Sequence, residues 1–421
     1  DVHHPVLSET DGKYDGEYLY THDKANNRVA KVSLERFETE EIKNVPNIQG
    51  AHGIAVLSPN TEMLAVNGEY RHEVKSDVPN PDNYKSMVSF LDPETLETKF
   101  QLLIPGNADI NDSSKDGKWM FSTVYNTEKG LTITEMIQND EDAIAAMNIP
   151  AMKKAVENGE YEEINGIPVI DPTKTSNRVL RMLPVPKNPH GNDVDPTGQY
   201  VMGSGKLSPT VSVYDISKID KVDNPEDALV AEPRVGLGPL HTTFDDRGNA
   251  YTSLFIDSQI SKWDIEKAVQ AHNGKDVNPI EDKIDVHYNV GHTQAMEAES
   301  MDPAGDYLLS LNKLSKDQYI PVGPSKPESQ EIIDINDKSM NMVMSFPAEP
   351  EPHDAVFMRT KRLADKVAQK GEGKDHPDAV KQGNERVERT GPNSVHVYMT
   401  AVRSEFKPHT VKVKEGDKVT F

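Results

Sequence analysis

Pro239-Leu240-His241-Thr242-Thr243-Phe244-Asp245-Asp246-Arg247-Gly248-Asn249-Ala250-Tyr251-Thr252-Ser253-Leu254, closed by Ile260-Ser261-Lys262-Trp263-Asp264-Ile265, decides the fold of this chain. The Asp-Asp-Arg-Gly tetrad is a tight turn: glycine takes the positive φ and the aspartate closes the backbone locally. An alternating apolar segment follows, then a second one ending in an aspartate clause. The same grammar returns at Asp116-Gly117-Lys118-Trp119, Asp195-Pro196-Thr197-Gly198-Gln199-Tyr200 and Asp302-Pro303-Ala304-Gly305-Asp306-Tyr307, with a looser copy at Ser58-Pro59-Asn60-Thr61. The aspartate clause recurs at Val211–Asp215 and Met87–Asp92. Strand pairs returning at roughly 50-residue intervals with turn punctuation read as propeller blades. A solenoid is disfavoured, because the repeats carry no helical period.

A histidine travels with the repeat. Beyond the opening pair His3-His4, histidines stand in Gly- or Pro-flanked turns at His52, His190, His241, His292 and His353, in steps of 48, 138, 51, 51 and 61 residues from His4. In the later repeats the histidine precedes the turn glycine closely, near the start of the blade's inner strand and so beside the central axis. The blade around 105–130 carries none, which accounts for the long step. Taken singly, each histidine reads as a packed core residue. Seven in phase with the blades read as imidazoles converging on one axis, ligands for a soft or borderline transition metal. His22, His72, His272, His287, His376, His396 and His409 are out of phase and read as structural.

Composition narrows the chemistry. The 421 residues are 35% hydrophobic and 27% charged, with net charge −23, which argues against nucleic-acid and anionic-membrane partners. No run approaches the ~18 apolar residues of a membrane span. Zero cysteines exclude thiolate ligands, disulfides and cysteine nucleophiles within these residues, leaving imidazole, carboxylate, carbonyl and methionine donors.

Three segments interrupt the repeat. Thr134 to Glu163, with Ile144, Met147, Met152 and Val156 at helical spacing, reads as a helical surface excursion. The blades are expected to fill 1–358. The polar run 359–393 reads as a linker or strap. Residues 394–421, with Val395–Thr400, Thr410–Lys414 and a Lys-Glu-Gly-Asp turn, read as the first strands of a truncated small antiparallel sandwich.

The motifs DVHHP with TDGKYDG, DKANNRVA, IQGAHG, YNTEKG, VPKNPHG, GKLSPTVSV, GPLHTTFDDRGNAYTSLFIDSQISKW, NKLSKDQYIPVGP, EPHD, and VYMTAV with VKVKEGD span nearly the whole chain. In these the sequence closely resembles the nitrous oxide reductase family. The resemblance implies an all-β protein, a seven-bladed propeller followed by a cupredoxin domain. It implies a tetranuclear copper-sulfide cluster held by His3, His4, His52, His190, His241, His292 and His353. It implies that Lys313 and Glu351 act beside the cluster as a charged pair. It also implies calcium: Tyr125, Glu128, Met136, Asp142 and Asn188 match one site, and Lys313 with Glu328 match a second. Met136 and Lys313 would then act through their carbonyls.

The implied reaction is reduction of nitrous oxide to dinitrogen and water, in a periplasmic homodimer fed by an electron-donor protein such as a c-type cytochrome or cupredoxin. The family's dinuclear copper entry centre needs two cysteines in the cupredoxin domain, and the residues given contain none. A calcium-stabilised propeller that only binds a partner is the alternative, but it gives no reason for seven in-phase histidines.

Overall fold

The computed structural model describes residues 2–73, 84–125, 134, 142–313, 328–348, 352–363, 380, 383–402 and 405–421. The chain divides into a large unit, Asp1–Lys366, and a small one, Val367–Phe421.

Among the described residues the large unit contains six sheets in chain order, antiparallel except for one parallel pair in the second. Five have four strands and one has seven. The first runs through Val2–Thr10, Lys13–Asp23, Arg28–Ser33 and Glu38–Asn44. The innermost strands of the next five are Ala51–Val56, Asn107–Ser113, Pro189–Val194, Pro239–Phe244 and Val290–Ala295. Innermost strands of consecutive sheets pack side by side, as blades around an axis do. They are buried almost throughout, while the outermost strands Glu38–Asn44 and Asn341–Ala348 are largely exposed. Between blades, buried aromatics such as Trp119, Trp263 and Tyr251 fill the wedge-shaped cores.

The turns are fastened by their aspartates. Asp245 accepts from the backbone amides of Arg247 (2.8 Å) and Asn249 (3.0 Å), and from the Tyr251 hydroxyl (2.9 Å). Asp195 repeats the device, accepting from the amides of Thr197 (3.1 Å) and Tyr200 (2.6 Å). Each turn is thereby tied to the core of its own blade.

Seven blades were expected. The described residues supply six sheets, and the extended segment Pro352–Arg359 lies between the sixth and the first. Val356 and Met358 pack with Leu7 and Tyr14 of the first blade, and the Phe357 carbonyl accepts from the Glu297 amide (2.8 Å) just beyond the sixth blade's inner strand. Glu297, with a fully buried carboxylate, fastens this segment further. It accepts from Arg359 Nε (2.8 Å) and from the Arg362 guanidinium (2.8 Å).

Two expectations about the interruptions need correction. Ile144 and Met147 are not helical: Ala143–Asn148 is a strand inside the third sheet, paired with Trp119–Tyr125 and Leu180–Pro184. All six residues are buried on both faces, so no period-2 alternation survives to mark a strand. Within 142–163 the helix is Ile149–Glu157, capped by the Asn148 side chain on the Ala151 amide (3.0 Å). The hairpin Glu162–Ile164/Ile167–Ile170 that follows extends the second sheet, pairing parallel with Thr98–Ile104.

The second correction concerns the small unit. Part of the polar run, Arg386–Gly391, is a strand pairing antiparallel with Ser394–Tyr398, on whose other side Lys418–Thr420 runs parallel. A fork from Arg389 to both Asp417 oxygens (2.7 and 2.6 Å) holds that parallel strand in register. The expected purely antiparallel start is not what forms.

Candidate metal centre

The inner strands bring the phased histidines together. His52 is second in its strand, His190 second, and His241 and His292 third in theirs. Ring centroids lie 4.7 Å apart for His4 and His52, 4.7 Å for His4 and His292, and 4.9 Å for His4 and His353. On the far side His190 and His241 are 4.7 Å apart, and His241 and His292 3.6 Å. His3 lies in the first strand, its backbone paired with His22.

Backbone conformation makes this convergence possible. His4 sits at φ 38, a left-handed conformation that only surrounding structure holds in a non-glycine residue. The glycines of the Ala-His-Gly and Pro-His-Gly turns answer a different constraint. A Cβ on Gly53 would stand 2.1 Å from the Asp109 carbonyl oxygen, and one on Gly191 2.3 Å from that of Leu240. Neighbouring blades meet there backbone to backbone, which pulls their histidines inward.

Burial favours the neutral form of four of the rings. Burial drives His4 and His190 below the ordinary imidazole value, pushes His241 down to about 3, and lowers His292 strongly. The Nε2 atoms of His241 and His292 are buried without a hydrogen-bond partner in the protein. One ring nitrogen from each of His190, His241 and His292 falls within 4.8 Å of the others, as for His4, His292 and His353. Imidazole nitrogens this close together, with the Nε2 atoms of His241 and His292 buried and unpartnered, fit a transition-metal centre and are costly otherwise. The donor set contains no thiolate.

Two carboxylates orient the rings. Asp109 Oδ1 is 2.7 Å from His52 Nδ1, and its other oxygen is 3.9 Å from His190 Nδ1. Burial alone would raise the Asp109 carboxyl, but His52 and the Lys206 ammonium hold it at about 2. Asp354 bridges His4 and His292, each Nδ1 at 3.3 Å from one of its oxygens. An imidazole whose Nδ1 donates to a carboxylate presents Nε2 to a metal in a fixed direction. Sequence reasoning passed over both residues. Asp109 stands in the inner strand of the one blade that lacks a histidine, so an acid at that phase was the available signal. His22, taken as structural, has its ring parallel to His4 at 6.0 Å between centroids.

The other predicted residues divide. Lys313 follows the sixth blade's second strand, and a Cβ on Gly291 would meet its side chain at 2.4 Å, so Lys313 packs beside His292. Glu351, Glu128 and Met136 lie outside the described residues. Asp142 and Asn188 are brought together, the Asn188 amide donating to Asp142 Oδ2 at 2.6 Å. Tyr125 turns its hydroxyl to Glu69 Oε1 (2.8 Å). Glu328 is buried at the head of its strand.

Comparison with known proteins follows the same lines. Residues 283–353 match the nitrous oxide reductase propeller repeat, and 45–110 match nitrous oxide reductase propeller repeat 2. The chain is 39% identical to the nitrous-oxide reductases of Stutzerimonas stutzeri and Pseudomonas fluorescens, and 36% to that of Cupriavidus necator. Each alignment covers 100% of this chain and 69% of the relative. Among solved structures, the β-propeller domain of Myceliophteria thermophila Cps50 (Swd1) superposes with TM-score 0.50 at 7% identity, covering 85% of this chain and 91% of that one. A functionally unknown protein from Desulfotomaculum acetoxidans gives 0.52 at 12%, covering 80% and 83%. These two speak for the propeller fold alone. With its phased histidines, its blades and 39% identity to those enzymes along the whole of this chain, the chain belongs to the nitrous oxide reductase family of oxidoreductases.

Proposed function

We propose that the histidine cavity holds a tetranuclear copper-sulfide centre at which nitrous oxide is reduced to dinitrogen and water with two electrons and two protons. One observation carries this reading: the rings of His4, His52, His190, His241, His292 and His353 converge, and His241 and His292 keep buried Nε2 atoms without a hydrogen-bond partner in the protein. His3, beside them in sequence, would complete the seven ligands. Copper bound there supplies reducing electrons and a Lewis-acidic surface for the weakly basic substrate.

The chain's own residues do the rest. Asp109 and Asp354 hold His4, His52 and His292 in the tautomer that frees Nε2. Burial excludes bulk water from the rings. Lys313, beside His292, donates a hydrogen bond to the substrate oxygen and can release a proton to it, with Glu351 as its acidic partner. Tyr125, Glu128, Met136, Asp142 and Asn188 would hold one calcium ion, and Lys313 with Glu328 a second, fixing the loops around the cavity. The reading includes a periplasmic homodimer, an electron donor of the c-type cytochrome or cupredoxin kind, and a cupredoxin domain, begun by the small unit, that carries the dinuclear copper entry centre.

Copper quantitation on purified protein, with nitrous oxide consumption driven by a small artificial reductant, tests the proposal. Bound copper and turnover are expected. Copper-free protein after reconstitution, or copper without turnover, would overturn it.

A further inference from the structure

Below the histidines a cavity with about 60 Å³ of room for water follows the inner strands. His4, His241 and His292 line one end, and Glu9, Lys115 and Glu299 the other. From His4 to Glu9 the first strand advances five residues, roughly 15 Å. Glu9 and Lys115 each precede an exposed residue, Thr10 and Asp116, so this far end lies just beneath the surface. The volume accommodates several water molecules. Gln294 lines it with an Nε2 that is buried and has no partner in the protein, as expected of a group that donates to cavity water.

We propose that this axial cavity is the proton route to the copper site, with Glu9, Asp112, Asp193 and Glu299 as its carriers. The inference rests on the function proposed above, which consumes two protons per nitrous oxide while the reductant supplies the two electrons. Protons enter from water at Glu9 and Glu299, pass through cavity water and the aspartates, and end in the product water. No covalent bond other than O–H bonds changes along the way.

The surroundings of these carboxyls suit the task. Glu9 accepts from the Ser58 hydroxyl, and burial raises it to about 7 despite the Lys115 ammonium. Glu299 accepts from the Tyr14 hydroxyl at 3.0 Å, and burial, with Asp354 and Asp112 nearby, raises it to about 8. Asp193 accepts from the Thr242 amide (2.9 Å) and is raised strongly by burial, with Asp112, Glu299 and Asp354 adding repulsion. Burial also raises Asp112, which accepts from the Val194 amide (2.6 Å) and faces Asp195. Lys115, also lining the cavity, lies 3.8 Å from Asp112 and donates to the Glu299 backbone carbonyl at 2.5 Å. It keeps the row from being uniformly neutral without closing it. Glu9 at about 7 and Glu299 at about 8 give up and regain protons near neutral pH with little driving force lost.

The test compares wild type, Glu299→Gln, Glu299→Asp and Glu9→Gln, each with copper content measured, driven by a small artificial reductant from pH 5.5 to 9. Glu299→Gln is expected to lose at least about tenfold in rate at pH 7–8. Its copper content and KM should stay unchanged, its solvent deuterium isotope effect should rise, and Glu299→Asp should recover most of the rate. Infrared difference spectra of the metal-free protein supply a readout independent of copper. A protonated-carboxyl band should fade near pH 8 in wild type and be missing in Glu299→Gln. Should Glu299→Gln fail to fold, Glu9→Gln is read by the same rate and isotope measurements, with its band fading near pH 7. Wild-type pH profiles and isotope effects in soluble, copper-loaded variants would overturn the route, as would lowered copper content in them. A wild type that neither binds copper nor turns over fails the site reading instead, and the infrared band still decides whether the carboxyls hold protons.

Discussion

The two ends of the axial cavity solve one electrostatic problem with opposite chemistry. At the upper end burial pushes imidazoles down, His241 to about 3, so they stay neutral by remaining unprotonated. At the lower end burial pushes carboxyls up, Glu9 to about 7 and Glu299 to about 8, so they approach neutrality by holding protons. Low dielectric penalises the charged form of either group. The inner strands therefore deliver unprotonated lone pairs for a metal at one end and a store of protons at the other. Asp109, held at about 2, and Asp354 aim the rings through their Nδ1 atoms.

The comparison breaks most completely at His241, whose ring lies within 5 Å of both His190 and His292. His241→Ala should abolish copper-dependent turnover and lower copper content, read by metal analysis, while the carboxyl end keeps its infrared bands. Asp109→Asn is milder. The amide keeps the shape but loses the charge that fixes His52, and copper affinity should fall about 10–100-fold in competition with a chelator.

The pH dependence of metal-free stability sharpens the contrast, because the two ends carry opposite signs. The depressed histidines contribute stability that is present above their unfolded value of 6.5 and lost as pH falls toward the folded value, about 3 for His241. The raised carboxyls contribute stability that is full below their unfolded value of 4.5 and lost as pH rises through 7 to 8. Denaturant unfolding across pH should show both losses, and Glu299→Gln should remove part of the alkaline one only. The smallest effect is expected at the strap carrying His353. Arg359→Lys keeps the charge on Glu297 but loses the guanidinium fork, costing about 1 kcal/mol in thermal unfolding.

Sequence reading reached the upper end and missed the lower one. The turns at Asp195–Gly198 and Asp245–Gly248 announce themselves in residue type, and the histidines recur in phase with them, so the propeller and its axis were legible. Asp109 and Asp354 escaped because acids are common and only their distance to a ring gives them meaning. His22 comes to lie parallel to the His4 ring through strand register, its backbone pairing with His3, which composition does not encode. Ala143–Asn148 was hidden because burial on both faces erases alternation. The carboxyl row was invisible for the same reason as Asp109: Glu9, Asp112, Asp193 and Glu299 come from four separate places in the chain and form a row only after the blades close.

X-ray absorption at the copper edge, on wild type and on His241→Ala/His292→Ala, tests the central claim most directly. The account predicts copper bound by imidazole nitrogen with a sulfur scatterer, which, with no cysteine in the chain and no methionine among the residues lining the cavity, points to sulfide. Both signals should be lost in the double variant. Copper bound equally well, with an unchanged spectrum, after those two rings are removed would contradict it.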